Sequence, residues 1–543
     1  MSEQKKTRVV ILGGGFGGVY TAMHLEKLAK KHEDIEIHLV NRDNYFIYQP
    51  MLAEVVGGSV GLTDTVSSIR RLLPKTNLYF REIDAIDLAK KEVILTPTFD
   101  HTAYHLSFDH IVFALGNVTD FRDNPGLHEH AMPFKNLADS ILIRNRIIDA
   151  IETASTLPDG DTKRKVLTFV VGGGGFSGTE VVAELNDFAR KLAKQYDTVR
   201  DEDIKVYMVH SKDRLLEREM SEQLGTYAGE LLQKRGVEII FNAHLVSATP
   251  EEAIIDNGMK IEAKTIISSV PSSPNPLIEA LDLPKVKGRL KTDSGMLIEG
   301  TDSMWAIGDC AMIPLHQSDS FAPPTAQFAI REAKTLAQNI IAQIKGGKKR
   351  GFKFKALGML GALGHHSAVA ELFGKFKFSG FFAWLMWRAI YWMKLPGVSR
   401  KIKVALSWML DAIVPGEHVQ LKIEPSSGIV QLHYEPGEII FHEGDIGDFL
   451  YIIADGEVEV FHKKNGAETQ IATLHKGEFF GEMALLNQKT RTASVRCKTP
   501  TNVLALKKSD FGALIANLGN LRESFEETEK NRSEQLSKYK KAQ

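Results

Sequence analysis

"RVVILGGGFGGVYTA", residues 8–22, runs four apolar β-formers into a glycine-rich turn and then into the start of a helix. Gly13, Gly15 and Gly18 have GxGxxG spacing, and each glycine answers a different steric demand. The first permits the tight turn, the second lets a pyrophosphate approach the backbone, and the third lets helix and strand pack closely, with the diphosphate at the helix N-terminus. The pattern recurs 160 residues later in "LTFVVGGGGFSGTEVVAELNDFARKLA", residues 167–193, at Gly173, Gly175 and Gly178. One such turn is weak. Two, each between a buried-type strand and a helix, predict an α/β chain with two Rossmann-like dinucleotide-binding units.

Composition allows this. The chain has 543 residues, 43% hydrophobic and 25% charged, so several globular domains are expected. Two cysteines, Cys310 and Cys497, form no CxxC pair, which suggests neither a disulfide framework nor a dithiol redox centre and fits a reducing compartment. The apolar run after "MSEQKKTR" is too short for a signal peptide, so export is not expected. His365 and His366 are adjacent without further ligands at suitable spacing, and no metal is expected.

Paired fingerprints resemble the layout of two-dinucleotide-binding-domain flavoproteins, one site for FAD and one for a nicotinamide nucleotide. "GMLIEGTDSMWAIGDCAMI", residues 295–313, is similar to the second flavin motif of that superfamily. There Gly308 would let the backbone approach the flavin and Asp309 would bond the ribityl chain. "FDHIVFALGN", with Gly116, resembles the exit from the FAD domain. "NRDNYFIYQPMLAEVVGG" (41–58) and "PPTAQFAIREAKTLAQNI" (323–340) are similar to stretches of type II NADH dehydrogenases, single-subunit flavoenzymes that pass electrons from NADH to membrane quinone without pumping protons. That resemblance runs from about residue 8 to about residue 412. It implies noncovalent FAD, NADH as substrate, and a peripheral position on the cytoplasmic face of the inner (plasma) membrane.

Some positions depart from the family. Asn41 stands where an acid usually meets the adenosine ribose of FAD. His210 stands where Glu commonly selects NADH, followed by Ser211, Lys212 and Arg214, so NADPH is an open alternative. The family's quinone-site AQxAxQ is matched by Ala326 (beside the FAD), Gln327 and Ala329, but Arg331 replaces the second glutamine. Gln327 can donate to a quinone carbonyl, and Arg331 can steady a reduced, anionic oxygen. Glu180, in the first turn after Gly178, is read either as a helix-end carboxylate or as a proton-handling catalytic group near the flavin and nicotinamide.

From Lys345 to Lys403 thirteen Lys or Arg accompany a single acid, Glu371, and residues 376–411 hold four of the five tryptophans. No uncharged run there reaches the ~20 residues of a spanning helix. Amphipathic helices lying on an anionic lipid surface are expected, with Arg388, Lys394 and Lys401 facing headgroups; an aromatic dimer contact is the alternative. No zinc-finger or helix-turn-helix pattern supports a nucleic-acid partner.

From about His418 short alternating strands and regularly spaced turns predict a β-barrel or jelly roll. "GEFFGEMALLNQKTRTASV", residues 477–495, resembles the phosphate-binding cassette of cyclic-nucleotide-binding domains. The resemblance gives Glu482 the ribose 2′-hydroxyl and Arg491 the cyclic phosphate of cAMP or cGMP, with Thr492 beside them.

The expected organisation is a FAD-binding domain in two parts (1–120 and 291–345) around an NAD(P)H-binding domain (121–290). A basic anchoring segment (346–417), a cyclic-nucleotide-binding domain (418–512) and a charged helical tail (513–543) follow. The function expected is hydride transfer from NADH to FAD and then electron transfer to quinone, under cyclic-nucleotide regulation. A soluble FAD-dependent NAD(P)H reductase, or a non-catalytic cyclic-nucleotide receptor on a flavoprotein scaffold, are the rivals.

Overall fold

Thr7–Leu12 is buried from Val9 onwards, as a strand flanked by parallel neighbours must be. It is the centre of a five-stranded sheet in the order Met304–Ala306, His110–Phe113, Thr7–Leu12, Ile35–Asn41, Asn77–Phe80, all parallel. Helix α1 (Phe16–Ala29) follows the first glycine turn. A short helix, α2 (Leu52–Gly57), buries Leu52, Ala53, Val55 and Val56 and ends on Gly58 in the left-handed conformation, φ +85°.

The computed structural model describes residues 6–511 apart from 31, 33, 98–101, 120–123, 270–271, 318–319, 414–418, 421–428, 435, 448, 465–466, 487–489 and 509–510. The tail expected at 513–543 lies outside the described residues. Two units emerge: Met1–Phe80 with Phe108–Lys422, and Arg81–Ser107 with Ile423–Gln543.

The first unit holds a second parallel sheet, ordered Ala131–Pro133, Thr265–Ser268, Thr168–Gly172, Lys205–Val209, Val237–Ile240. Helix α3 (Phe176–Ala193) follows the second glycine turn and packs Val181, Val182, Leu185, Phe188 and Leu192 into the apolar core. Helix α4 (Ala326–Lys345) packs on α1 and stops at Gly346, φ +71°. A three-stranded antiparallel meander follows, Gly358–Ala362, Ala368–Leu372 and Phe376–Ser379. It leads into helices α5 (Gly380–Lys394) and α6 (Val398–Ile413).

Those last two helices are amphipathic in an inverted sense. Phe381, Phe382, Met393, Ile402, Met409 and Leu410 are each more than half exposed, while the polar groups turn inward. Arg388 Nη2 donates to Glu54 Oε1 at 3.2 Å, and Trp408 Nε1 donates to Glu54 Oε2 at 3.2 Å. Ser407 Oγ donates to Asp64 Oδ2 at 2.8 Å, with Arg400 3.5 Å from the same carboxylate. Trp387 is 1% exposed, and burying such a side chain is worth on the order of 2–3 kcal/mol. The expectation that Arg388 faces lipid headgroups is therefore wrong. Its side chain is only 16% exposed and it pairs with a carboxylate on α2. Lys401 also turns back, donating to Met393 O at 2.7 Å and lying over the Trp392 ring.

The second unit is a pair of four-stranded antiparallel sheets. One runs Ile429–Tyr434, Thr501–Lys507, Phe449–Asp455, Phe479–Phe480; the other runs Ile439–Phe441, Ser494–Cys497, Val458–Lys464, Ala467–Leu474. Ile440, Ile453, Val458, Phe480, Val495 and Val503 form the core between them. The same unit contains the small sheet of Ile83–Asp87, Glu92–Leu95 and Tyr104–Ser107, where Lys508 Nζ donates to Asp84 Oδ1 at 2.8 Å.

Candidate active site and nucleotide pockets

The two glycine turns are built alike, and the reason for each glycine is now visible. Gly13 has φ +109° and Gly173 φ +104°, conformations that cost other residues dearly. A Cβ on Gly18 would sit 1.9 Å from Gly13 O, and one on Gly178 would sit 1.8 Å from Gly173 O, so both positions exist for close helix packing. Gly15 is different: nothing lies within 4 Å of where its Cβ would be. Its glycine leaves room at the N-terminus of α1, as a diphosphate requires.

Asn41 and His210 occupy equivalent places and do the same work. Gly14 N donates to Asn41 Oδ1 at 2.8 Å, and Gly174 N donates to His210 Nδ1 at 3.0 Å. Each side chain caps the middle glycine of its turn, and a Cβ on either glycine would strike it. Because His210 Nδ1 accepts, the ring proton belongs on Nε2. Burial pushes the His210 pKa down, so the imidazole is neutral. It lines a cavity of about 510 Å³ with Gly173, Gly174, Gly175, Ser211, Lys212 and Arg218; Glu217 and Glu219 also reach this wall. Lys212 lies 3.8 Å from Glu217. Arg214 is not free for a phosphate, since it donates to Met220 O and Glu217 O.

At the FAD-type sheet the residues present fit a flavin. Gly116, φ +65°, and Gly308, φ +72°, carry no Cβ on the loops that follow two adjacent strands. Burial raises the Asp309 pKa against the pull of Lys135 and Arg289. Arg289 Nε donates to Asp309 O at 2.9 Å. Sequence reasoning missed Glu332 on α4, whose Oε2 accepts from Gly308 N at 3.0 Å and whose pKa burial raises to about 7. Its only sequence signal is its spacing, five residues after Gln327.

Ala326 opens α4 beside Thr325, the N-cap. Gln327 Nε2 donates to Gly358 O at 3.2 Å. Arg331 stands over the Phe354 ring, 5.3 Å from its centroid. Glu180 Oε1 accepts from Ala362 N at 3.0 Å. One strand, Gly358–Ala362, thus holds Gln327 at its first residue and Glu180 at its last. Burial raises the Glu180 pKa to about 8, which places a protonated carboxyl there at neutral pH.

In the second unit Glu482, Arg491 and Thr492 come together on a cavity of about 340 Å³ whose other walls include Phe441, Ala472 and Val495. Arg491 is buried and stacked on Phe441, 4.1 Å from the centroid. Its Nη1 donates to Gly481 O at 2.7 Å and its Nη2 to Phe449 O at 2.8 Å.

With this geometry in place, comparison with known proteins is direct. Residues 7–333 match the pyridine nucleotide-disulphide oxidoreductase family, residues 357–414 the NDH2 C-terminal domain, and residues 431–517 the cyclic nucleotide-binding domain. A type II NADH:quinone oxidoreductase of Mycobacterium tuberculosis is 28% identical over 420 residues, covering 74% of this chain and 86% of that protein. The demethylphylloquinone reductase of a Synechocystis species is 28% identical over 434 residues, covering 78% of this chain and 99% of that one. The structure of NDH2 from Plasmodium falciparum in complex with NADH shares the fold, with a TM-score of 0.70 at 19% identity, over 77% of this chain and 100% of that chain.

Proposed function

The chain belongs to the pyridine nucleotide-disulphide oxidoreductase family, and from that premise we propose that it is an FAD-dependent NADH:quinone oxidoreductase of the type II kind, held on a membrane surface and regulated by a cyclic nucleotide. The observation that carries the reading is the strand Gly358–Ala362, which binds Glu180 at one end and Gln327 at the other. FAD, when bound, supplies the chemistry that takes a hydride from the nicotinamide and passes two electrons to quinone. Gly13 and Gly15 would shape the turn that takes its diphosphate, with Gly18 letting α1 pack close; Gly116 and Gly308 would give its ring close approach, Asp309 would meet its ribityl chain, and Ala326 would lie beside it. Gly173, Gly175 and Gly178 would do the same for NADH, whose adenosine end would lie against the neutral His210.

Gln327 then donates to the quinone carbonyl, and Arg331 adds positive charge near the developing anion. Glu180 supplies a proton where hydride and quinone chemistry meet. The exposed apolar faces of α5 and α6 enter the lipid interface, with Lys394 and Lys403 among the cations at their border. No helix among the described residues is long and apolar enough to cross a membrane. A disulfide acceptor is disfavoured because Cys310 is buried, its thiol pushed up to about 11. Residues 1–120, 121–290 and 291–345 make the two nucleotide-binding domains, 346–417 the anchor and 418–512 the sensor, on the cytoplasmic face of the inner membrane. The test is purified protein with an oxidised-flavin spectrum, bleached by NADH and restored by a quinone in vesicles. Bleaching without restoration by any quinone removes the acceptor assignment.

A further inference from the structure

Reducing a quinone to a quinol with NADH consumes one proton from solvent per turnover, because the hydride carries two electrons but only one hydrogen. Trp387 of α5 is buried and Tyr391 of α5 lies within electrostatic reach of Glu180, so protein packs beside that carboxyl and the proton needs a route. Three carboxyls supply one. Glu180 and Glu184 are one turn apart on the same face of α3, where Cβ atoms stand about 5–6 Å from each other. The Glu184 carboxylate lies directly against α2: a Cβ on Gly57 would be 2.0 Å from its Oε2. One turn earlier on α2 is Glu54, 3% exposed, which bonds Arg388 of α5 and Trp408 of α6.

We infer that Glu54, Glu184 and Glu180 form a proton-conducting line from the base of the α5 and α6 pair to the reacting quinone. Glu180 gives its O–H proton to the reduced quinone oxygen, forming the new O–H bond as its own breaks. Glu184 then reprotonates Glu180, Glu54 reprotonates Glu184, and water at the border of α5 and α6 returns the proton to Glu54. The electrons come from NADH, and no other reactant is needed. The inference rests on the quinone reductase reading above.

Arg388 is the cation that favours ionised Glu54, while Asp411 of α6 opposes it. Asp187 of α3 is held by Arg235 Nη1 at 3.1 Å and His365 N at 2.8 Å. The buried Tyr391 hydroxyl of α5 sits within electrostatic reach of Glu180. Burial is the first cause that raises all three glutamates, Glu54 to about 7, Glu180 to about 8 and Glu184 well above its ordinary value. The charge of Glu54 adds to it at Glu180 and Glu184. Glu54 and Glu180 can therefore hold and release a proton near neutrality, as the two ends of a relay must.

The test uses flavin-loaded protein, NADH and a short-chain quinone, comparing wild type with Glu184→Gln and Glu54→Gln. Stopped-flow bleaching by NADH is expected to be unchanged. Reoxidation by quinone is expected to slow by about ten- to a hundredfold, with a larger solvent deuterium isotope effect and a shifted pH profile. Glu184→Asp is expected to recover part of the rate. Reoxidation that keeps the wild-type rate and pH profile in both Gln variants overturns the line, as does equal slowing of both half-reactions, which marks structural damage. A wild type that bleaches but is reoxidised by no quinone sinks the quinone reading and this inference with it. Thermal melting of the variants across pH 5–9 reads the cluster's titration independently of turnover.

Discussion

Glu180 and Gln327 are bound to opposite ends of one strand: Ala362 N donates to Glu180 Oε1 at 3.0 Å, and Gln327 Nε2 donates to Gly358 O at 3.2 Å. Five residues of strand span roughly 13 Å between the terminal residues, so the carboxyl proposed to handle the proton and the amide proposed to bind quinone are set apart at a fixed spacing. Gln327→Leu removes the donor but leaves the strand's other end intact. It is expected to raise KM for quinone about tenfold, the loss of roughly 1.4 kcal/mol of hydrogen bonding, while the rate of flavin bleaching by NADH stays the same. Steady-state assays over a quinone series, with stopped-flow bleaching beside them, check this. A variant that bleaches more slowly would place Gln327 in the hydride half-reaction instead.

The outward face of α5 and α6, proposed above to meet lipid, is mainly apolar, because Arg388 and Arg400 pair with Glu54 and Asp64. Phe382→Asp with Ile402→Asp is expected to release the protein from anionic vesicles at least tenfold, with the melting temperature unchanged. Arg388→Glu is expected to do something else. It sets a second carboxylate against buried Glu54, at a cost of about 3–5 kcal/mol for the broken pair, and lowers the melting temperature. Vesicle sedimentation and thermal melts separate the two. Undiminished sedimentation of the aspartate pair would assign this face to a protein contact.

The Arg388 result shows what the sequence withholds. Both glycine turns were legible because strand, turn and helix are local, and Gly13, Gly18, Gly173 and Gly178 have the contacts that their spacing implied. The tryptophan-rich helices were legible as amphipathic for the same reason. Which side faces outward was not. Glu54 lies 334 residues before Arg388, and nothing in "MLAEVVGG" signals an arginine partner. Asn41 and His210 stood out as departures, yet their bonds to the middle glycines follow only once the sheets place strand ends against the turns. Glu184 had a signal that went unread, its four-residue spacing from Glu180 on a single helix.

Cofactor choice turns on the cavity around His210. Ser211, Lys212 and Arg218 favour a 2′-phosphate, but Glu217 and Glu219 share that wall and Lys212 sits beside Glu217. NADH is therefore expected to reduce the flavin faster than NADPH. Glu217→Gln is expected to move the ratio of the two rates about tenfold towards NADPH, by removing like charge next to a phosphate. Stopped-flow bleaching with each nucleotide decides it. Equal or faster reduction of the wild type by NADPH would show that the cations outweigh the two acids.

Stability should fall with rising pH through the range in which the buried glutamates ionise. Burial lifts the folded-state pKa of Glu180 to about 8 and of Glu54 to about 7. Between the ordinary carboxylate value and these, the unfolded chain binds fewer protons than the native one, so the native state loses stability as pH rises. Glu180→Gln removes one such term. Its melting temperature is expected to exceed that of the wild type by about 2–4 °C at pH 8 and to match it near pH 5. Calorimetry at the two pH values reads the difference, and an equal offset at both would mean a packing effect rather than titration.

The last expectation concerns why a cyclic-nucleotide pocket shares a chain with a quinone reductase. A nucleotide can alter turnover only through its differential affinity for two arrangements of the enzyme, typically about 1–3 kcal/mol, or five- to 150-fold. Linkage makes the effect reciprocal for binding: if cAMP or cGMP changes the affinity for vesicles, vesicles must change the affinity for that nucleotide by the same factor. Arg491 is the residue to vary, but not by charge reversal, since its guanidinium already holds Gly481 O and Phe449 O and packs on Phe441. Arg491→Glu would strip the cassette of those bonds and confuse lost binding with lost folding. Arg491→Lys keeps a cation and forfeits the paired donors, so nucleotide affinity is expected to drop about ten- to a hundredfold while the domain still melts cooperatively. Calorimetric binding of cAMP and cGMP, with and without vesicles, is then set beside NADH:quinone rates for both proteins. An affinity that ignores vesicles, together with a rate that ignores nucleotide, rules out regulation by this pocket.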